Sequence, residues 1–171
     1  MGKFPAIVIT LGICSLWDII KVVETRGLTG PTAKWVFLEA CKAVEECHKQ
    51  KLAHLDIKCE NFVLMKDYSV NLIDFGHCEA TAPGLKHRYT SKGTAGYLAP
   101  EQLKQRKYNA MQADIYQLGV LFFHLYLGYS PFNQEIYHEH YYYSNDTRRG
   151  FFGMFKTSIR PKISKNFMRF V

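Results

Sequence analysis

Apolar positions along this chain alternate between short β-branched runs and longer helical stripes. Ala6-Ile7-Val8-Ile9 is a β-branched run that predicts a short buried strand. The apolar stretch from Leu16 to Val23 predicts a short helix that ends near Gly27. Thr29-Gly30-Pro31 reads as a second helix start, with proline in the first turn. Trp35, Phe37, Leu38, Ala40, Cys41, Val44 and Cys47 then lay down a broad apolar face as far as about His48. Phe62-Val63-Leu64 and Val70-Asn71-Leu72-Ile73 predict two short strands around a polar turn at Lys66-Asp67. Residues 76–98 hold no strong period and read as a long ordered loop, a length that usually goes with function. From Asp114 to Leu127 the chain is apolar nearly all round, which predicts a buried helix. After Pro131-Phe132 the chain is rich in tyrosine and has no readable period.

Composition narrows the picture only a little. The 171 residues suit one domain, and 47% hydrophobic with 22% charged is an ordinary globular balance. Twenty-two Lys and Arg against 15 Asp and Glu give a net charge of +7. The basic residues are scattered, densest over 156–169, which favours a solvated basic surface and makes nucleic acid an unlikely partner. Five cysteines form no C-x-x-C pair and are odd in number, so reduced thiols and a cytoplasmic or other intracellular setting are expected. His138-Glu139-His140 would diverge on a helix, and no further ligands stand at zinc spacing. The apolar residues 4–17 after Lys3 imitate a signal peptide, but Pro5 interrupts them and no cleavage site follows. Met1-Gly2 has Ala6 where a myristoylation signal needs Ser or Thr. Residues 115–127 are too short to cross a membrane and contain Gln117 and His124, so no membrane partner is expected.

The chemistry sits between residues 54 and 119. His54-Leu55-Asp56-Ile57-Lys58-Cys59-Glu60-Asn61 has the form H-x-D-x-K-x-x-N. Asp74-Phe75-Gly76 follows a hydrophobic strand, Ala99-Pro100-Glu101 comes after the long loop, and Asp114 and Gly119 open the buried helix. In order and spacing this set resembles the signature of the protein kinase family, specifically a eukaryotic-type serine/threonine kinase catalytic domain. Phosphoryl transfer needs an aligned hydroxyl and neutralised phosphate charge, with little covalent help from the protein. The resemblance implies Asp56 as the base that orients the substrate hydroxyl and Lys58 as a charge on the transferring phosphate. It implies Asn61 and Asp74 as hard oxygen ligands for Mg²⁺, with Asp74 and Val63 holding ATP. Gly76 would let the backbone turn sharply after Asp74. His54 and Phe75 resemble members of a regulatory hydrophobic stack, and Glu101 resembles the acid of an ion pair whose arginine has only Arg160 and Arg169 as imperfect candidates. Asp114 resembles a buried carboxylate that ties down the catalytic loop through backbone donors, helped by the helix dipole. Lys58 two after Asp56, and Thr94 within Gly93-Thr94-Ala95-Gly96-Tyr97-Leu98, imply serine or threonine in a protein or peptide substrate. Gly128-Tyr129-Ser130-Pro131-Phe132 is similar to the calmodulin-dependent group.

The sequence also departs from that family. Leu55 stands where an arginine usually receives an activation-loop phosphate, so a phosphate on Thr90 or Ser91 would lack that partner. No G-x-G-x-x-G occurs, and no V-A-I-K lysine precedes Asp56. The implied fold class is α+β and mainly α: a kinase-like C-terminal lobe with short β-hairpins around the catalytic loop and most of the N-terminal lobe absent. Residues 1–13 would hold the last small-lobe strand and the hinge, and 14–171 the larger lobe with incomplete distal helices. The expectation is therefore an ATP- and Mg²⁺-dependent protein kinase in a truncated form, with a partner protein covering the small-lobe face. The competing expectation is a pseudokinase-like binding module of weak activity.

Overall fold

The computed structural model describes residues 8–23, 27–82, 85–87, 92–104 and 107–130. Expectations for Ala6, Ile7, Thr90, Ser91, Pro131-Phe132, His138-Glu139-His140, Arg160, Arg169 and the basic stretch 156–169 lie outside these residues. The architecture is mixed α/β with helices dominant. Strand β1 (Cys14–Ser15) leads into helix α1 (Leu16–Val23), and helix α2 (Gly30–Lys49) follows. Strands β2 (Leu52–Ala53), β3 (Phe62–Leu64), β4 (Val70–Leu72) and β5 (Glu79–Ala80) precede helix α3 (Pro100–Leu103) and helix α4 (Ala110–Leu127).

Each helix has a local cause. At the start of α1, Asp18 Oδ2 accepts from the Ser15 amide at 3.0 Å, and Ser15 Oγ accepts from the Asp18 amide at 3.1 Å. This reciprocal pair satisfies amides that the first turn would otherwise orphan. Helix α2 buries Ala33, Val36, Phe37, Ala40 and Val44, a stripe at three- and four-residue spacing. The expected face was wider than the observed one, since Trp35 and Leu38 are exposed. Asn109 Oδ1 caps α4 by accepting from the Gln112 amide at 3.0 Å, and Gly128 ends it in the left-handed region at φ 80°.

Helix α4 is the centre of the fold. Leu121 and Leu125 are fully buried, and Phe122 packs at a tilt against Phe37 of α2 with ring centroids 4.8 Å apart. The helix is buried on nearly every side, so its polar residues Asp114, Gln117 and His124 must find partners inside the protein. It also begins earlier than the apolar pattern suggested. Asp114 lies beyond the first turn of a helix that starts at Ala110, so the helix dipole adds little there and other donors must hold its charge.

Two small antiparallel sheets complete the frame, one ordered β1-β3-β4 and the other pairing β2 with β5. The expected strand over residues 6–9 is corrected for its described part. Val8 and Ile9 form no strand and are exposed, and pairing begins at Cys14, which aligns with Leu64. β-branched residues favour extended backbone, but a strand needs a neighbour to bond with. Within residues 76–98, expected as pure loop, β5 pairs Leu52 with Ala80 and Ala53 with Glu79.

The central placement of α4 makes a stability prediction. Leu121→Ala removes a fully buried side chain from a packed core and should lower the unfolding free energy by about 2–5 kcal/mol. Chemical denaturation measures this, and a loss well under 1 kcal/mol would mean that α4 is not central.

Candidate active site

The β3–β4 hairpin brings together two parts of the site that are distant in sequence. Phe62 is paired with Leu72, so the residues just outside that pair, Asn61 and Ile73, are also adjacent. The Ile73 amide donates to the Asn61 carbonyl at 2.9 Å, which delivers Asp74 to the end of the hairpin where Asn61 sits. The hairpin turn is fixed by Asp67, whose Oδ1 accepts from the Ser69 amide at 3.0 Å and hydroxyl at 2.7 Å.

Asp56 lies in the loop between β2 and a 3-10 turn at Cys59–Asn61, and three side chains meet around its carboxylate. Thr94 Oγ1 donates to its Oδ1 at 2.6 Å. Lys58 Nζ lies 2.9 Å from its Oδ2 and also donates to Thr94 Oγ1 at 2.8 Å. Asn61 Nδ2 donates to the Asp56 carbonyl at 2.8 Å and to its Oδ2 at 3.0 Å. Burial alone would push the Asp56 carboxyl up, but the Thr94 hydroxyl, the Lys58 ammonium and the Asn61 amide together hold it below its usual value. Both donors of Asn61 are directed at Asp56, so its oxygen remains as a hard ligand.

Asp74 is exposed and adopts the left-handed conformation at φ 60°, with its Oδ1 accepting from the Gly76 amide at 3.2 Å. The expected role of Gly76 is corrected here. Asp74, not Gly76, carries the positive φ, because an Asp side chain can bond the amide two residues on and stabilise that turn. Gly76 matters for space instead, since a Cβ on it would sit 3.1 Å from Asp74 Oδ1.

His54 links the two acidic residues. The Ile73 carbonyl, 3.0 Å from His54 Nε2, can only accept, so Nε2 carries the proton. His54 Nδ1 is then free to accept from the Asp56 amide at 3.3 Å. The ring is fully buried and held neutral, its pKa lowered first by burial. Phe75 meets it edge-on at 5.1 Å and is 47% exposed.

Asp114 is fully buried and anchors the loop from below. Its Oδ2 accepts from the His54 amide at 2.9 Å, its Oδ1 from the Leu55 amide at 2.7 Å, and His48 Nε2 lies 2.8 Å from Oδ2. Leu55 itself is left-handed at φ 66°. Val63 is half-buried in β3, and the backbone passes so close that a Cβ on Gly12 would lie 2.0 Å from Val63 Cγ1. Glu101 sits on α3 and forms no ion pair with any described residue.

Sequence reasoning missed three residues that support the site. Gln117 contacts the loop on both sides of Asp56. His77 accepts from the Gly93 amide at 2.7 Å, and Glu79 holds both His87 and Lys92 at 2.9 Å. A polar residue in an otherwise apolar helix was the one available signal, and it marked Gln117.

Among the described residues no group of three or more His, Cys, Asp or Glu could hold a metal on its own, and no helix is long and apolar enough to cross a membrane. Asp74 and the Asn61 oxygen still fit Mg²⁺, which is commonly held by one or two protein oxygens together with substrate phosphates.

Residues 5–171 match the protein kinase domain family. Over 115 residues the chain is 38% identical to maternal embryonic leucine zipper kinase of Xenopus laevis, covering 67% of this chain and 18% of that protein. It is 35% identical over 138 residues to testis-specific serine/threonine-protein kinase 5 of Mus musculus, covering 80% and 35%. It is 33% identical over 140 residues to CBL-interacting protein kinase 31 of Oryza sativa subsp. japonica, covering 79% and 31%. The chain thus spans roughly a fifth to a third of the length of these curated relatives.

Two buried histidines make the stability of this region pH-dependent. Burial lowers the pKa of both His54 and His124 from the usual 6.5. Below that value the unfolded chain binds protons that the folded one does not, so stability is full above pH 6.5 and is lost as pH falls beneath it. Melting temperature should drop between about pH 7.5 and pH 5.5, and less steeply in His124→Gln. A melting temperature that is flat across this window would contradict the neutral assignment.

Proposed function

The chain belongs to the protein kinase family, and we propose that it carries the catalytic-loop lobe of a serine/threonine protein kinase. The observation that carries this reading is the convergence of Thr94, Lys58 and Asn61 on the Asp56 carboxylate. In this reading Asp56 accepts a hydrogen bond from the substrate hydroxyl and aims it in line with the phosphate. Thr94 holds the position next to Asp56 that the substrate hydroxyl approaches. Lys58, already shared between Asp56 and Thr94, turns toward the transferring phosphate and offsets its charge. Mg²⁺-ATP supplies the phosphoryl group, with Asn61 and Asp74 as the protein oxygens that would hold the ion and Val63 as the floor beneath the nucleotide. Serine or threonine is favoured as acceptor by the Asp56–Lys58–Thr94 triangle and by the names of relatives such as the mouse testis-specific serine/threonine-protein kinase.

A second reading, a binding module of weak activity, is favoured by a specific observation. Val8, Leu11 and Ile13 are exposed, as is half of Phe75, which leaves an apolar edge beside the nucleotide floor. A partner protein over that edge would complete the site. The two readings differ in whether phosphate moves.

Asp56→Asn should reduce phosphate transfer to a serine- or threonine-containing peptide by about 10²–10⁴-fold while leaving the melting temperature close to wild type. Thr94→Ser should retain most activity and Thr94→Ala should lose much of it, because only the hydroxyl bonds Asp56. Radiolabelled phosphate transfer by the full-length protein measures both. An active Asp56→Asn variant would refute the assignment, and a wild type that moves no phosphate with or without an added small-lobe partner would favour the binding module.

A further inference from the structure

Gln117 lies three residues after Asp114 on α4 and is fully buried. Its Oε1 accepts from the Ile57 amide at 2.9 Å, and its Nε2 donates to the Leu55 carbonyl at 3.2 Å. These two backbone groups flank Asp56. Asp114 already takes the His54 and Leu55 amides, so α4 grips four backbone groups around a single residue. Leu55 needs such a grip, because a non-glycine residue at φ 66° is strained unless its surroundings hold it there. Asp114 fixes its amide and Gln117 fixes its carbonyl.

The same side chain reaches a second functional segment. Gly93 is left-handed at φ 103°, and a Cβ placed on it would lie 2.8 Å from the Leu55 carbonyl oxygen and 3.7 Å from Gln117 Nε2. The residue just before Thr94 therefore packs onto the carbonyl and amide that Gln117 joins.

We propose that Gln117 is a positioning residue that sets the angle at which Asp56 meets the substrate hydroxyl and keeps Asp56 in register with Thr94. The proposal rests on the phosphotransfer reading above. The chemistry calls for an amide. One acceptor and one donor must stand a fixed distance apart, in a place water does not reach. Glutamate supplies only acceptors and would face the Leu55 carbonyl with like charge. Methionine keeps the volume and supplies neither bond. Asparagine is one methylene too short to span both groups.

The test combines site-resolved amide hydrogen exchange with steady-state kinetics on the full-length protein, comparing wild type, Gln117→Met, Gln117→Glu and Asp56→Asn. In the wild type the Ile57 amide should be protected to the level of the α4 core amides. Gln117→Met should stay folded, exchange the Ile57 amide about tenfold faster or more, and lose about tenfold or more in kcat. Its KM for ATP should stay within about threefold, because nucleotide contacts lie elsewhere. Gln117→Glu keeps the acceptor for Ile57 and should fall between the two. A folded Gln117→Met variant with wild-type kcat would overturn the proposal. So would a wild-type Ile57 amide exchanging as fast as an exposed loop, a measurement that decides the matter even if no variant folds. A wild type without phosphate transfer, matched by Asp56→Asn, would sink the phosphotransfer reading instead and leave the grip on the loop to be judged by exchange alone.

Discussion

The structure depends on one buried carboxylate. Asp114 sits just past the first turn of an apolar helix with no access to water. An isolated charge there would be costly, and it persists because three donors converge on it: the His54 and Leu55 amides and the His48 ring. The arrangement is reciprocal. The loop amides have lost water and need an acceptor, and the carboxylate needs donors, so neither the loop nor the helix can be built in this form without the other. Removing one side leaves an uncompensated buried group, a larger loss than the net value of the bonds themselves.

From that anchor the site is assembled by backbone geometry more than by side-chain attraction. The β3–β4 register sets Asn61 beside Ile73, and the His54 ring then joins Ile73 to Asp56 through its two nitrogens. A protonated His54 would lose its acceptor nitrogen and repel the Asp56 amide dipole. The neutral ring is therefore a structural requirement of the loop, and burial enforces it. Two of the four described non-glycine residues with positive φ, Leu55 and Asp74, lie one on each side of this network.

How much of this was legible in the sequence depended on length and on period. The α4 and α2 helices announce themselves through long apolar runs with few competing readings, and the β3–β4 hairpin through two β-rich runs around Lys66-Asp67. Strands β1, β2 and β5 have two residues each, too short to show alternation, and they exist because a partner strand is nearby. Val8 and Ile9, the described part of a β-branched run, show the opposite failure, where local preference pointed to a strand and these two residues pair with none. The residues of the candidate site could be located by motif, but their conformations could not. The left-handed Asp74 rests on its own bond to the Gly76 amide, and the two-sided grip of Gln117 follows from neighbours some sixty residues away in sequence.

The electrostatics around Asp56 bear on what kind of chemistry the proposed reading requires. Three donors stabilise its ionised form and hold its pKa below the usual range, which makes it a weak proton acceptor. For a reaction that needed early deprotonation of an alcohol, such a carboxylate would be poorly tuned. Phosphoryl transfer with a loose transition state asks for less: the hydroxyl must be aligned, and its proton leaves late, when bond formation to phosphorus has already made it acidic. A strongly held, fully ionised Asp56 suits that demand, because its orientation is fixed by the same bonds that weaken it as a base. Lys58 then has a double use. Without phosphate it balances the Asp56 charge at 2.9 Å, and when an anion arrives it has a competing partner close by, so the site need not expose an uncompensated charge at either stage. The network around Asp56 thus favours precise aim over proton affinity.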